Sequence, residues 1–487
     1  ETGPVYLLAG TGIVYTRPLS ERVSVPRSGD GLGLEMGQHA RSAPIRAAQE
    51  QLLTRLENDG YPLAEVTDRE VVVNHERTTL RVKWHIDPGP FVRFGGWKLA
   101  GLERVEPEYL RRFRKWQPGE PFDQRLVERT RAALRETGLF AGISVTRGEP
   151  VDGRLPLTFS FRERDRRSVG FTGRFSTSEG PIVTGFWEHR NLLGRDQDLR
   201  LSATGGFVRQ SVQSRFTQPN FRRLDQNLAL FGEARRQDTD AFEERALTGE
   251  ASLERPLFDD WTGSVGTSTE FTETEDAEGT RQFFVLGAPI RLRRDTRDDS
   301  RNPTEGTRLS LSTQPVVTAV DETQAFLRNE AEASAYRTVL GTDRVVLAGR
   351  ARFGSIVAGA TDDIPAGKRF FAGGAGSVRG FDFQEIGPLD ADNDPLGGRS
   401  VLSFNAEARV RIGESFGVVP FLDAGQVYDN RFPDIFRDPD RVLRYGAGLG
   451  VRYYTAVGPL RLDVAVPLND RPVDDAFELY ISLGQAF

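Results

Sequence analysis

The 487-residue sequence has no cysteine and only one methionine. Without thiols, disulfides and cysteine-based chemistry are excluded. The chain also lacks any run of about 18 apolar residues, the length that a membrane-spanning helix needs. The formal charge of −6 is small, and lysines and arginines are scattered along the chain, so we expect no nucleic-acid partner. A globular protein or a transmembrane β-barrel remains, since a barrel alternates apolar and polar residues and keeps an ordinary mean hydropathy.

Signals of catalysis and of metal binding are also scarce. The four histidines lack metal-ligand spacing. The glycine-rich stretch around Ser377 does not match a Gly-x-Ser-x-Gly nucleophile motif, because Ala375 stands two residues before the serine. We therefore expect no enzyme activity, no catalytic residue, no cofactor and no metal site. The run Asp390-Ala391-Asp392-Asn393-Asp394 has alternating acids that suit calcium, but Pro395 follows where a calcium-binding loop has glycine. We interpret this run as a solvated loop.

Residues 1–165 mix helical and strand patterns, and two stretches read alike. The first, 1–88, has a helical segment over 43–58 followed by two strands. The second, 89–165, has a helix over Asp123–Glu136, for which Asp123 is a suitable N-cap, and again two strands. We predict two small α+β domains over these ranges.

From residue 166 onwards the pattern changes to two-residue alternation interrupted by turn residues. In Phe477–Phe487 the odd positions are apolar except Gln485. A soluble sandwich shows the same alternation strand by strand, but the number and length of the segments favour a barrel. We predict a transmembrane antiparallel β-barrel of about 16 strands over residues 166–487, because closed single-chain barrels have an even strand number.

One connection is too long for a turn. It covers residues 355–400, between the eleventh and twelfth predicted strands, and contains Val378-Arg379-Gly380-Phe381. Alternation on the next two strands turns Glu407 and Asp423 towards the barrel interior. We hypothesise that the loop folds inward and that Arg379 contacts Asp423, Glu407 or both. From the pattern alone, a solvated Arg379 with the acids paired to Arg409 or Arg411 is an equal alternative.

These residues resemble the BamA/TamA superfamily of outer-membrane assembly proteins. The resemblance is carried by Val378–Phe381, the Glu407 strand, Phe421–Gly425, Gly458–Asp463 and the terminal Phe487. It implies that the two α+β repeats are polypeptide-transport-associated (POTRA) domains in the periplasm, and that the barrel lies in the bacterial outer membrane. It also implies that the loop arginine is held inside the barrel by acids such as Glu407 and Asp423, which favours the inward contact.

Within the superfamily, the barrel length is more similar to TamA than to BamA. TamA-like proteins have three POTRA domains, so we expect that a further domain precedes Glu1. Two-partner secretion transporters, the alternative, have two such domains but also an N-terminal plug helix, and residues 1–45 contain several glycines and prolines instead.

The resemblance implies a lateral seam between the first and last barrel strands, where β-rich client proteins are inserted or exported. The predicted seam residues are Val169, Phe171, Phe175, Tyr480, Leu483, Gly484 and Phe487. Gly484 would permit a kink, or would simply relieve crowding in the lumen. The implied partners are outer-membrane lipid, unfolded clients of the autotransporter kind and a TamB-like periplasmic protein. A passive solute pore is the remaining alternative.

Overall fold

The computed structural model describes residues 4–20, 28–29, 31–276, 279–319, 323–339, 344–358, 361, 363–434, 442–456 and 458–487. The chain divides into two units: Glu1–Asp165 with Leu193–Asp196, and Arg166–Leu192 with Gln197–Phe487. No helix among the described residues is long and apolar enough to cross a membrane.

The first unit contains two small α+β layers of the same design. The first layer consists of β1 (Leu7–Tyr15), α1 (Ser42–Asn58), β2 (Glu65–Asn74) and β3 (Thr79–Asp87), with sheet order β1-β3-β2. Ile45, Ala48, Leu52 and Leu56 recur at helical spacing and form the buried face of α1. They share one core with Trp84 of the central strand.

The second layer consists of β4 (Arg93–Ala100), α2 (Pro107–Arg111), α3 (Gln124–Glu136), β5 (Phe140–Arg147) and β6 (Arg154–Glu163), in the order β4-β6-β5. The Asp123 side chain accepts the Arg125 amide at 2.8 Å and caps α3. In both layers the last strand lies in the centre, parallel to the first and antiparallel to its neighbour in sequence. Each sheet therefore has two edge strands with unpaired backbone groups.

The second unit is a closed barrel, in which each strand is antiparallel to its neighbours. Its elements are β7 (Arg167–Ser176), β8 (Gly180–His189), β9 (Asp198–Gly206), β10 (Arg209–Gln218), β11 (Asn227–Thr239), β12 (Phe242–Phe258), β13 (Trp261–Asp276), β14 (Gly279–Gly287), β15 (Ile290–Asp295), β16 (Gly306–Ala319), β17 (Thr323–Val339), β18 (Val345–Val357), β19 (Ser400–Ile412), β20 (Phe416–Tyr428), β21 (Arg444–Thr455), β22 (Gly458–Pro467) and β23 (Glu478–Leu483).

Segments β14 and β15 are two halves of one strand, since both lie between β13 and β16. Pro289 separates them, because a proline cannot donate to the ladder. The described chain thus forms a barrel of sixteen strands, and the predicted fold class is confirmed. Leu422, Leu449 and Val464 are 43–54% exposed on its outer face, as a lipid-facing surface requires.

Candidate functional site: a lumenal ion cluster and a short seam

The long connection between β18 and β19 occupies the barrel lumen. It spans residues 358–399, of which 359, 360 and 362 lie outside the described residues. Its apolar side chains form one buried cluster with inward residues of β14, β16, β17, β18, β19 and β20. The loop members of this cluster are Ile364, Phe370, Ala372, Val378, Phe381 and Ile386. Because these strands are neighbours in the barrel, the loop packs against one continuous arc of the inner wall, from β14 to β20.

Arg379 of this loop lies among three carboxylates. Its Nε donates to Asp423 Oδ2 at 2.7 Å, and a second guanidinium nitrogen donates to Asp423 Oδ1 at 2.9 Å. The remaining nitrogen donates to Glu407 and to Asp463, both at 2.9 Å. Asp423 also accepts the Arg379 backbone amide at 3.1 Å. The structure therefore places the predicted arginine against both predicted acids and against a third acid, Asp463.

The cluster is almost completely removed from solvent. The Arg379 side chain is 1% exposed, and those of Glu407, Asp423 and Asp463 are 0% exposed. Charges so desolvated persist only when they are paired and hydrogen-bonded. The guanidinium carbon also lies 3.5 Å from the centroid of the Phe421 ring, which adds a cation–π contact.

Two of the three acids, Glu407 and Asp463, also form ion pairs with other arginines. Glu407 also accepts from Arg409 at 3.0 Å, so one of the alternative pairings considered from the sequence coexists with the Arg379 contact. Asp463 accepts from Arg461 at 2.7 Å and from Arg452. Within the described residues, Asp423 has an ion pair with Arg379 alone. Arg379 and Asp423 thus depend on each other more than any other pair in the cluster.

The neighbours of Arg379 in the motif attach the loop to the barrel wall. Val378 and Phe381 are 0% exposed in the loop core. The Gly380 amide donates to the Tyr480 hydroxyl of β23 at 3.1 Å. Four consecutive residues therefore join the loop to β20 through Asp423 and to the last strand through Tyr480.

Strand β21 makes room for the loop with alternate glycines. A Cβ at Gly446 would overlap the Arg379 carbonyl oxygen, and one at Gly448 would overlap the Phe421 ring. A Cβ at Gly450 would overlap Asp463. All three glycines face inward, and they alternate along the strand with outward residues such as Leu449. Side chains at these positions would displace the ion cluster, which explains why the inner face of this strand carries glycines.

The ladder between the first and last barrel strands is short. It pairs Tyr480 with Ser176, Ile481 with Phe175 and Ser482 with Arg174. The next ladder, between β22 and β23, pairs six residues, and that between β7 and β8 pairs ten. Of the predicted seam residues, only Phe175 and Tyr480 belong to a pair across this ladder. Leu483 pairs with Leu460 of β22 instead.

Val169 and Phe171 lie on β7 beyond the reach of the last strand. They are 78% and 84% exposed, and in the described chain neither has a partner on β23. Both residues lie on the first barrel strand, where the seam was predicted, but the last strand does not extend to them. The reason is that β23 ends at Leu483 and its ladder with β7 ends at the pair Ser482–Arg174.

Phe487 lies in the lumen and not at the predicted seam, because the chain leaves the barrel wall at Gly484. Gly484 has a φ of +102°, a conformation that L side chains disfavour, and its amide donates to Pro459 at 2.7 Å. The last residues then turn into the lumen. The Phe487 ring lies between the guanidinium groups of Arg350 (5.3 Å) and Arg409 (5.5 Å), and the Phe487 carbonyl accepts from Arg409.

Four features of the site were not predicted from the sequence: the presence of Asp463, Arg452 and Arg461 in the ion cluster, and the contact of Tyr480 with the loop. A signal for Asp463 existed, since it alternates inward on the strand that contains Gly458–Asp463. The inward glycines of β21 were a second signal, because a strand face without side chains leaves space for another segment.

A closed barrel with outward apolar residues, a lumenal loop and α+β layers earlier in the chain define a transmembrane β-barrel protein with N-terminal α+β domains. The profile of the Omp85 superfamily domain matches residues 191–487. The chain therefore belongs to the Omp85 superfamily, and the superfamily resemblance seen in the sequence is confirmed.

Among curated proteins, the chain is similar to the outer membrane protein assembly factor BamA of Nitratidesulfovibrio vulgaris, with 23% identity over 84% of this chain and 53% of that protein. It is 20% identical to BamA of Neisseria meningitidis over 94% of this chain and 64% of that protein. The chain thus spans between about half and two thirds of the length of these relatives.

Among solved structures, BamA from Haemophilus ducreyi lacking POTRA domains 1–3 superposes with a TM-score of 0.84 at 17% identity, over 98% of this chain and all of that one. CdiB from Acinetobacter baumannii superposes with a TM-score of 0.55 at 13% identity, over 100% of this chain and 91% of that one. At these identities the likeness concerns the fold.

Proposed function

We propose that this chain is an outer-membrane assembly factor that inserts or exports β-rich client proteins through a lateral seam between β7 and β23. The observation that carries the proposal is the three-residue ladder that closes the barrel there. Breaking it costs fewer hydrogen bonds than opening the barrel at the neighbouring ladders. The curated relatives are named as assembly factors, which supports the same reading.

The proposed mechanism is strand addition. Residues 167–173 of β7 already face the seam without a partner on β23. Unpaired backbone groups are costly in lipid, so a client strand that pairs with this edge gains hydrogen bonds that the barrel itself does not supply. The inward turn at Gly484 keeps the end of the chain away from this edge. A client strand would therefore extend the sheet from β7.

We further propose that Arg379, Glu407, Asp423 and Asp463 act as a latch that fixes the lumenal loop. The Gly380–Tyr480 hydrogen bond joins that latch to β23, the last strand of the seam. The loop fills the lumen beside the seam, so its position would decide how far β23 can move inward. The role of Val378 and Phe381 in this scheme is to anchor the loop in its apolar core.

The edge strands β2 and β5 are the proposed collecting surface for clients or for a partner. Val71, Val72 and Val73 on β2 are 37–53% exposed, and an exposed apolar edge favours pairing with another chain. A TamB-like periplasmic partner is one candidate for this edge. We propose no catalytic step, cofactor or nucleic-acid partner.

Locking the seam tests the mechanism directly. Phe175→Cys with Ile481→Cys places two thiols on directly opposed residues, and the native chain has no cysteine to interfere. Leu449→Cys with Val464→Cys does the same across β21 and β22 and is the control. Oxidation should abolish insertion of an unfolded autotransporter-type β-domain into liposomes by the first variant, and reductant should restore it. Full insertion by the oxidised seam variant, with activity of the control intact, would rule out the lateral seam.

Secretion of a soluble partner, as in two-partner systems, is the second candidate function, because the CdiB fold covers the whole chain. The two candidates differ in the fate of the client, which either remains in the membrane or leaves it. Protease protection of a client after transport into liposomes separates them. A passive pore is disfavoured by the loop cluster that fills the lumen, and steady large single-channel conductance would favour it instead.

A further inference from the structure

Three carboxylates meet where the lumenal loop reaches the beginning of the last strand. They are Asp382, directly after the motif, Asp475 on the connection between β22 and β23, and Glu478, the first residue of β23. One oxygen from each lies within 4.8 Å of the others. Oxygens that share one calcium ion lie about 2.4 Å from it, and therefore no more than about 4.8 Å from one another. The three carboxylates meet this condition.

Glu478 is buried, and one of its carboxylate oxygens has no hydrogen-bond partner. Its exposed fraction is 0%, and although Oε2 accepts from the Thr177 hydroxyl, Oε1 has no hydrogen-bond partner. A buried carboxylate oxygen without a partner is unfavourable, because it has lost its hydration without gaining a hydrogen bond. The two neighbouring acids cannot donate to it when they are ionised, so either a cation or a shared proton is needed at this place.

The surrounding protein charges do not neutralise the three acids. Within the described residues, none of them has an ion pair with a lysine or arginine, and the neighbouring Arg471 is paired with Asp474 at 2.7 Å. Negative charge is thus concentrated at this place.

We propose that Asp382, Asp475 and Glu478 bind a calcium ion that joins the lumenal loop to the seam. All-oxygen carboxylate sets are the ligands of hard cations, and calcium accepts the irregular geometry that three separate segments supply. The ion would add a second link to the Gly380–Tyr480 hydrogen bond, two residues along the same strand face. Thr177, whose amide donates to Leu479 at 3.1 Å, connects the first hairpin to the same place.

The acidic run at 390–394 provides a matched control. There, Asp390 Oδ1 accepts the backbone amides of Asp392 and Asp394 at 2.8 and 2.9 Å, so this carboxylate already has donors. Asp392→Asn removes an acidic charge from the same loop without touching the proposed site. Asp475→Asn removes a ligand at an exposed position, where folding is least affected. Glu478→Gln removes the buried ligand.

The experiment is calorimetric titration of calcium chloride into the folded, EDTA-treated protein in detergent free of lipopolysaccharide. We expect one site with a dissociation constant on the order of 10⁻⁴–10⁻³ M. Asp475→Asn and Glu478→Gln should each weaken it by about tenfold or more, and Asp392→Asn should leave it unchanged. Retention of the folded band on unheated gels establishes that each variant is a barrel.

Two results of the calcium titration would overturn the proposal. One is the absence of calcium binding by the folded wild-type protein at millimolar concentration. The other is binding of equal affinity in Asp475→Asn, which would locate the ion elsewhere. A seam whose closure depends on pH but not on calcium would assign the cluster to a shared proton and equally count against the ion. Binding is measured without any client, so its outcome is independent of the proposed assembly function.

Discussion

The Gly380 amide and the Tyr480 hydroxyl lie within hydrogen-bond distance, at 3.1 Å, so the loop motif is attached to the last barrel strand. Arg379, one residue earlier, is held by Asp423 on β20. The latch and the seam are therefore physically connected. A substitution that weakens the contacts of one should also lower the stability of the other.

Arg379→Ala should destabilise the barrel by about 3–5 kcal/mol, because a buried acid loses its partner. The loss should act mainly through Asp423, since Glu407 keeps Arg409 and Asp463 keeps Arg452 and Arg461. Urea unfolding in detergent measures the change. Arg245→Ala, which removes an exposed ion pair to Glu243, is the control and should cost about 0–1 kcal/mol.

A double-mutant cycle distinguishes Asp423 from the other acids. Adding Asp423→Asn to Arg379→Ala should recover part of the lost stability, with a coupling energy of about 0.5–3 kcal/mol. Adding Glu407→Gln should recover less, because Arg409 would then lose its own partner. Equal recovery by the two substitutions would contradict the dominance of the Arg379–Asp423 pair.

Tyr480→Phe should destabilise the barrel by about 1–3 kcal/mol, since the buried Gly380 amide loses its acceptor. Tyr445→Phe removes a hydroxyl from an outward position that is 39% exposed and should have little effect. Protease sensitivity of the lumenal loop is the second measurement. If the loop stays as protected in Tyr480→Phe as in the wild type, the hydrogen bond does not hold it.

Gly446→Ala should displace the loop, because the added Cβ would overlap the Arg379 carbonyl oxygen. Overpacking of this kind costs about 1–3 kcal/mol. Gly185→Ala on β8 is the control, since a Cβ there has no neighbour within 4 Å. The unfolding midpoint of each variant gives the comparison. If the Gly446→Ala protein has the same unfolding midpoint as the Gly185→Ala control, the loop can shift to accommodate the added Cβ without loss of stability.

The sequence contained enough to predict the barrel, because one buried and one exposed face impose two-residue alternation on each strand. It also indicated that Glu407 and Asp423 face inward, since alternation fixes the side of the sheet. It could not predict which inward acids are brought together. The meeting of Arg379 with Asp463 depends on barrel closure, which joins residues 84 positions apart.

The position of Phe487 was the other feature that the sequence did not predict, and the reason lies in the local backbone conformation. Alternation in Phe477–Phe487 continues through Leu483, and nothing in the pattern distinguishes a strand glycine from one with positive φ. Gly484 takes the left-handed conformation, and Phe487 consequently stacks on arginines in the lumen. The preference of an aromatic ring for guanidinium faces is a tertiary contact that the strand pattern does not encode.

Gly484→Ala should release the end of the chain from the lumen. An alanine in the left-handed region costs about 1–2 kcal/mol, which favours a straight continuation of β23 along β7.

Cross-linking measures where the end of the chain lies. Phe487 and Tyr336 have ring centroids 6.3 Å apart, so the variant with Phe487→Cys and Tyr336→Cys should be joined efficiently by a short thiol cross-linker. Adding Gly484→Ala should lower that yield and should raise the yield between Phe487→Cys and a cysteine at Val169. Adding Gly205→Ala, which introduces a Cβ with no neighbour within 4 Å, should change neither yield. If Gly484→Ala leaves both yields as they were, the positive φ is not what directs the chain inward, and the arginine contacts of Phe487 alone would have to hold it there.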